Sequence, residues 1–155
     1  MPEGVGLGFD VHPRDEGRPL RLGTVPFDGE AGLAGHSDGD VVCHAIADAL
    51  LGAAALGDVG EHFPDDDAAT AGIDGATILT TTLELLATRQ RAPVSVDVTI
   101  VCERPPVAPR RDEIRARLAG ALRLPIERLS VKATRPEGLG LTGDGIGCLA
   151  LALIR

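Results

Sequence analysis

The sequence has no tryptophan and no tyrosine, and only 3 of its 155 residues are phenylalanine. Without large aromatic rings, the core must be built from alanine, valine, leucine and isoleucine, which favours close packing of small side chains. Hydrophobic residues make up 44% of the chain, a normal share for a globular protein. A chain of this length can bury such a core without disulfide or metal staples, so we expect a single domain spanning residues 1–155.

Cysteine, positive charge and long apolar runs are also scarce. The 3 cysteines, Cys43, Cys102 and Cys148, are odd in number and form no C-x-x-C pair, which argues against a disulfide framework and for a reducing compartment. The net charge of −8 argues against a broad cationic surface and against a nucleic-acid partner. No apolar run is long enough to span a membrane, and residues 1–4 carry no leader pattern. We therefore expect a soluble, cytoplasmic protein.

Apolar segments of two different periods alternate along the chain, which predicts an α/β (α+β) fold: a mixed sheet with helices packed on one face. The predicted strands span residues 5–11, 94–102, 129–134 and 146–154, with one or two short strands within 20–27. The predicted helices span residues 37–56, 76–87 and 110–122. Ser37 is the expected N-cap of the first helix, and Gly57 is expected to end it.

Asp10-x-His12 and His44 form a candidate metal site. Side chains two apart on a strand share a face, so Asp10 and His12 are able to reach one ion. Two imidazoles and a carboxylate suit zinc and leave a position open for substrate or water, as in catalytic sites. His44 lies in an alanine-rich helix four residues before Asp48, which we expect to orient its ring. The competing interpretation is a chance pair and a packed histidine, because short motifs match often without function.

Longer motifs resemble the 2-C-methyl-D-erythritol 2,4-cyclodiphosphate synthase family. The resemblance runs from about Gly4 to Ile154 and is densest in the central block. The matching segments are Gly8-Phe9-Asp10-Val11-His12, Gly35-His36-Ser37-Asp38-Gly39-Asp40-Val41 with His44, residues 48–54, 56–60 and 63–65, Lys132-Ala133-Thr134 with Glu137, and residues 139–143.

The resemblance implies a homotrimeric enzyme of the non-mevalonate isoprenoid pathway, with active sites at subunit boundaries and a cavity along the trimer axis. In the implied reaction, the 2-phosphate of 4-diphosphocytidyl-2-C-methyl-D-erythritol 2-phosphate attacks the β-phosphorus of the diphosphate. CMP is released, and an eight-membered cyclic diphosphate closes. The enzyme class is a phosphorus–oxygen lyase.

The resemblance also implies a role for each matching residue. Asp10, His12 and His44 would bind zinc or another divalent transition metal, and Glu137 would help to bind magnesium or manganese between the substrate phosphates. His36 would donate a hydrogen bond in catalysis. The implied substrate-binding residues are Ser37, Asp58, Gly60, Phe63, Pro64, Asp65, Asp67, Cys102, Ala108, Thr134 and Leu141. Among them, residues 63–67 match a flap over the site, and residues 102–108 match the cytidine-binding segment.

The chain departs from the family pattern after Thr134. Arg135 and Pro136 stand where the family has two further threonines, so Arg135 is the expected substitute for a phosphoryl-stabilising threonine. Pro106 stands where a lysine commonly meets the nucleotide phosphates. Two alternatives to the synthase stay open on the residues: a zinc phosphoesterase that uses an activated water, and a non-catalytic trimer that binds related diphosphates.

Overall fold

The computed structural model describes residues 2–140 and 142–155, which form a mixed four-stranded sheet, a separate hairpin and a layer of helices. The strands are β1 (Gly4–His12), β2 (Arg14–Leu22), β3 (Val25–Leu33), β4 (Pro93–Val101), β5 (Leu129–Thr134) and β6 (Ile146–Ile154). The α-helices are α1 (Val41–Ala53), α2 (Val59–His62), α3 (Gly75–Thr88) and α4 (Arg111–Leu122). The main sheet has the order β1-β6-β4-β5, in which only β4 and β5 run parallel, and β2 pairs with β3 alone.

The residues of β1 divide between two faces of the sheet because side chains alternate along a strand. The even-numbered residues face α1 and begin with three glycines. A Cβ added at Gly6 would lie 1.8 Å from the Ala49 carbonyl oxygen, and one added at Gly8 would lie 1.9 Å from the Ala45 carbonyl oxygen. Helix α1 therefore packs directly on the strand backbone, at a distance that no residue with a side chain permits.

The odd-numbered residues of β1 face away from the helices, as do alternate residues of β6. Leu7 is 68% exposed and Phe9 is 49% exposed in the isolated protomer. The exposed apolar side chains of this bare sheet face are Val5, Leu7, Phe9, Val11, Leu149 and Leu151. The prediction that helices pack on one face of a mixed sheet is confirmed.

The N-cap of helix α1 lies three residues later than predicted, at Asp40 rather than Ser37. Gly39 has a φ of +75°, which breaks the helical path between the two residues. The Asp40 carboxylate accepts hydrogen bonds from the backbone N–H of Cys43, Gly23 and Thr24, at 3.2, 2.9 and 2.7 Å. Burial raises the pKa of this carboxyl, and the hydrogen bonds oppose that effect. One side chain thus joins the helix start to the turn between β2 and β3.

The predicted end of α1 was wrong as well. The helix ends at Ala53, and Ala55 takes a left-handed φ of +54° two residues before Gly57. Leu56 closes the turn by donating its N–H to the Leu51 carbonyl at 2.9 Å. The chain therefore leaves the helix without using a glycine at the turn.

The remaining elements differ in how well the sequence predicts them. Strands β5 and β6 have the predicted bounds, and β4, α3 and α4 differ by one residue at one or both ends. The one or two short strands predicted within residues 20–27 are too short, since β2 and β3 form a hairpin that spans residues 14–33. The single turn of α2 was not predicted. Among the described residues, no helix has both the length and the apolar character that crossing a bilayer requires.

We expect Asp40→Ala to lower the free energy of unfolding by about 3 kcal/mol, because it removes a helix cap and leaves buried N–H groups without an acceptor. Asp74→Ala is the matched control: Asp74 caps α3 with one exposed hydrogen bond, to Thr77 N–H at 2.7 Å. That variant should lose only about 1 kcal/mol. Urea unfolding at one protein concentration measures both, and equal losses would contradict the role of Asp40 as a joint.

Candidate active site

Asp10, His12 and His44 bring three ligand atoms together at the end of β1. Asp10 Oδ2 lies 2.8 Å from His12 Nε2 and 3.0 Å from His44 Nδ1. All three ligand atoms lie within 4.8 Å of one another. Asp10 and His12 continue the even-numbered face of β1 beyond its glycines, and His44 precedes Ala45, whose carbonyl lies over Gly8. The close approach of helix and strand therefore sets the distance between the ligands.

The charges of the cluster favour metal binding. Burial raises the pKa of Asp10, but hydrogen bonds from His12 and His44 outweigh burial and lower it to about 2. Burial lowers the pKa of His44, but the hydrogen bond and charge of Asp10 outweigh burial and raise it. Asp10 is therefore an anion at neutral pH, held in place by the two imidazoles that would share a metal with it.

The donor set fits zinc or another divalent transition metal. Two imidazole nitrogens and one carboxylate oxygen converge on one point, and three protein ligands leave coordination positions for substrate oxygens. Among the described residues, this is the one group of three or more histidine, cysteine or acidic side chains with converging ligand atoms. Glu137 is exposed, lies in the loop after β5 and is not part of the group.

Ser37, rather than Asp48, contacts the outer nitrogen of His44. Ser37 Oγ lies 2.9 Å from His44 Nε2 and accepts a hydrogen bond from Gly39 N–H at 3.1 Å. When Nδ1 binds a metal, Nε2 keeps its proton and donates it to Ser37 Oγ. Asp48 instead accepts a hydrogen bond from Val59 N–H at 2.7 Å, so the expectation that it orients His44 was wrong. Asp48 lies one helical turn after His44 in α1, and its carboxylate anchors the start of α2.

The cluster opens into a cavity of about 300 Å³ between α1, α2 and the loop before α3. Nine of the residues predicted for the site line it: Asp10, His12, His36, Ser37, His44, Asp58, Gly60, Phe63 and Asp65. Its other lining residues are Gly35, Asp48, Val59, Thr70, Ile73 and Ile78. The three apolar residues of this second group carry no chemical signal in the sequence, since apolar residues of helices and loops usually indicate core.

His36 reaches over the cavity toward the residues predicted as a flap. Its ring Nε2 donates to the Asp67 carbonyl at 3.1 Å, and its own carbonyl accepts from Gly72 N–H at 2.8 Å. Asp67 thus meets the site through its backbone, while Pro64 and the Asp67 side chain do not line the cavity. Residues 64–72 are therefore tied to His36 by one backbone hydrogen bond and by one hydrogen bond from its ring.

Four of the remaining predicted residues line a second cavity, of about 340 Å³, at the end of β4 and β5. Cys102, Ala108, Thr134 and Arg135 line it, together with Glu103, Pro105, Pro106, Val107, Arg111 and Ala133. The two cavities share no lining residue within one chain. Arg111 was not predicted as a site residue, although a positive charge so close to residues 102–108, the expected cytidine-binding segment, was a signal of phosphate binding. Glu137 lines neither cavity, and Leu141 lies outside the described residues.

Zinc affinity should fall as the pH is lowered, because a proton on His44 competes with the metal. Since Asp10 raises the pKa of His44, this competition begins at a higher pH than for a free histidine. Below the raised pKa, each pH unit should cost about tenfold in affinity through this one group. Chelator competition between pH 5.5 and 8.5 measures the slope, and His44→Ala should bind weakly with a shallower slope. An affinity independent of pH would exclude the histidines as ligands.

Comparison with known proteins identifies a family over nearly the whole chain. The family model described as the YgbB family matches residues 4–155. The 2-C-methyl-D-erythritol 2,4-cyclodiphosphate synthase of Salinibacter ruber is 50% identical over 148 residues, which cover 96% of this chain and 94% of that protein.

Solved structures agree in fold. A 2C-methyl-D-erythritol-2,4-cyclodiphosphate synthase superimposes with a TM-score of 0.90 at 34% identity and covers 97% of this chain and 99% of its own. IspF of Plasmodium falciparum, solved as a CDP complex, superimposes with a TM-score of 0.83 at 29% identity and covers 98% of this chain and 95% of its own. With its fold, its cluster of two histidines and an aspartate, and these matches in agreement, the chain belongs to the YgbB family.

Proposed function

We propose that this protein is a cyclodiphosphate synthase. It converts 4-diphosphocytidyl-2-C-methyl-D-erythritol 2-phosphate to 2-C-methyl-D-erythritol 2,4-cyclodiphosphate and releases CMP, a step of non-mevalonate isoprenoid synthesis in the cytoplasm. The observation that carries the proposal is the convergence of Asp10, His12 and His44 in one cavity with His36, Ser37 and Asp58. Family membership and relatives named for this reaction support it.

The reaction is an intramolecular phosphoryl transfer of the phosphorus–oxygen lyase class. An oxygen of the 2-phosphate bonds to the β-phosphorus while the bond from that phosphorus to the bridging oxygen breaks, and this oxygen leaves on CMP. The attacking group is already an anion, so no general base is needed. The protein has to hold attacker and leaving group in line and offset their negative charge.

Different residues of the first cavity would offset the phosphate charge and position the substrate. Asp10, His12 and His44 would hold zinc, which would supply Lewis-acid stabilisation of phosphate charge. His36 directs a ring N–H into the flap region, from where it is available to donate to the substrate 2-phosphate. Asp58 caps α2 through a 2.9 Å hydrogen bond from Glu61 N–H and lines the cavity with Gly60, where both would bind the methylerythritol hydroxyls.

Residues of the second cavity would hold the nucleotide end of the substrate. The pocket between Cys102 and Ala108 would take the cytidine, and Thr134 would touch the diphosphate. Arg135 supplies a full positive charge there and would stabilise the transferring phosphoryl group in place of a threonine. Glu137, which lines neither cavity, would help to bind magnesium or manganese, and this cation would offset negative charge on the substrate phosphates. The CDP complex of the Plasmodium falciparum protein supports a cytidine diphosphate ligand.

A homotrimer would bring the two cavities together. Within one chain they share no lining residue, so a single substrate would need one cavity from each of two neighbouring subunits. The bare sheet face supports this assembly, because a patch of six large apolar side chains is typical of a surface that another protein covers. Three such faces would surround the axis of the trimer.

Purified protein incubated with the diphosphocytidyl substrate, zinc and magnesium should form the cyclic diphosphate and CMP at the same rate. Phosphorus NMR measures both products. His44→Ala should lower turnover by at least about 100-fold, because it removes a metal ligand. His62→Gln is the matched control, since His62 lies outside the cavity and its ring nitrogen meets the Leu56 carbonyl at 2.7 Å. CMP with an open-chain product would favour a phosphoesterase, and binding without reaction would favour a non-catalytic trimer.

Leu7→Asp should convert the trimer to monomers, because it places a charge in the centre of the bare sheet face opposite Leu151. The isolated protomer should stay folded, since Leu7 is 68% exposed in it. Thr80→Asp adds the same charge on the exposed side of α3 and should leave the assembly unchanged. Light scattering after size-exclusion chromatography gives the mass of each, and a Leu7→Asp trimer would contradict assembly through this face.

A further inference from the structure

Arg18 binds the backbone of the site loop, residues 35–37, which lines the first cavity. Its guanidinium donates from Nη1 to the Gly35 carbonyl at 2.6 Å and from Nη2 to the Ser37 carbonyl. These two carbonyls flank His36 on either side. A planar guanidinium donates along two directions at once, so one side chain fixes both ends of this three-residue segment.

The path of β2 directs Arg18 to this position. The β2–β3 ladder pairs Asp15 with Gly32 and then Pro19 with Ala31, so residues 16–18 have no partner across the hairpin. Such irregularities turn side chains away from the regular face of a strand and often lie next to functional sites. Arg18 is half-buried and lines neither of the two cavities.

The guanidinium of Arg18 serves no ion pair within the described parts of the chain. The ion pairs there are made by other residues, and no carboxylate lies within 4.0 Å of this arginine. Its hydrogen bonds go to the two loop carbonyls alone. Arg18 therefore has no charged partner for a purely electrostatic role, but it has two hydrogen-bond acceptors, the Gly35 and Ser37 carbonyls, for a role in holding the loop.

The segment that Arg18 holds carries two side chains of the site. His36 reaches across the cavity to the Asp67 carbonyl, and Ser37 Oγ meets His44 Nε2 at 2.9 Å. Gly72 N–H, from the loop before α3, donates to the His36 carbonyl. The segment is thus fixed between the flap region and the hairpin, and Arg18 supplies the hairpin side.

We propose that Arg18 is a positioning residue for the site, a role that rests on the proposed function only where turnover is concerned. Through the Gly35 and Ser37 backbone it keeps the His36 ring over the cavity and the Ser37 hydroxyl on His44. It thereby supports metal affinity as well as the reaction, although it touches neither metal nor substrate. A loosened segment would displace His36 from the reacting phosphate, where small misplacements lower rates strongly.

The test compares Arg18→Ala, Arg18→Gln and Arg18→Lys with Arg21→Ala, a control in the same strand whose side chain makes no hydrogen bond among the described residues. Zinc affinity of the metal-free proteins, measured by chelator competition, should fall about tenfold in Arg18→Ala, as for loss of an outer-shell contact. Arg18→Gln and Arg18→Lys should lie between wild type and Arg18→Ala, because each retains a donor for one carbonyl. Arg21→Ala should match wild type.

Rescue distinguishes positioning from general loss of structure. Millimolar guanidinium, far below denaturing concentrations, should restore zinc affinity and turnover in Arg18→Ala, because the free cation is able to donate to both vacated carbonyls. It should do nothing for wild type or Arg21→Ala. Unchanged zinc affinity in Arg18→Ala, or a loss that guanidinium does not restore in either Arg18→Ala or the more conservative Arg18→Gln, would overturn the proposal.

The two proposals fail in different ways. If wild-type protein forms no cyclic product, the proposed function is wrong, and the zinc measurements still decide the role of Arg18. If wild type cyclises the substrate and Arg18→Ala does so with unchanged kcat, KM and zinc affinity, the proposed function stands and Arg18 has no positioning role. We expect kcat to fall by about 10- to 100-fold and KM to change far less, since Arg18 does not contact substrate.

Discussion

The direct contact of α1 with the backbone of β1 is the constraint on which the site depends. Gly6 and Gly8 leave no space for a side chain beneath the carbonyls of Ala49 and Ala45. The same strand and helix carry Asp10 and His44, whose ligand atoms lie 3.0 Å apart. A methyl group at Gly8 would push the helix away, and the metal ligands would separate with it. The site is therefore held by the core, where atoms are least free to move.

Electrostatics explain how an acidic protein is suited to an anionic substrate. The net charge of −8 repels phosphate at long range, but screening shortens that repulsion to about 8 Å at physiological ionic strength. The two cavities differ in local charge, since the first is lined by three histidines and four aspartates, and the second carries Arg111 and Arg135 beside Glu103. The second cavity thus has arginines of its own for phosphate oxygens, whereas the first would depend on a metal ion to offset phosphate charge. Metal ions would add the largest local charges.

The sequence predicted the parts of the molecule that follow from periodicity and local chemistry. The strands around residues 129–134 and 146–154 have strong apolar patterns, and Asp10 and His12 share a face because of strand geometry alone. Ser37 was misassigned as a helix cap because Ser-Asp-Gly-Asp offers several capping residues, and only the fold brings the turn at Gly23 and Thr24 to Asp40. The extent of β2 was hidden by its charged, glycine- and proline-containing sequence. The contact between Arg18 and the site loop joins residues 17 and 19 positions apart, which no local pattern records.

The alternation within β1 has a consequence for how this chain is able to change in evolution. In this strand of nine residues, one face carries glycines and metal ligands, and the other carries the apolar side chains of the bare sheet face. Inserting or deleting one residue would exchange the two sets, so that Phe9 would meet α1 and the ligands would point away from His44. A substitution in this strand alters one face at one position, whereas a change in its length alters both faces at once. The register of strand β1 therefore determines both the metal-ligand face and the bare sheet face of the protein.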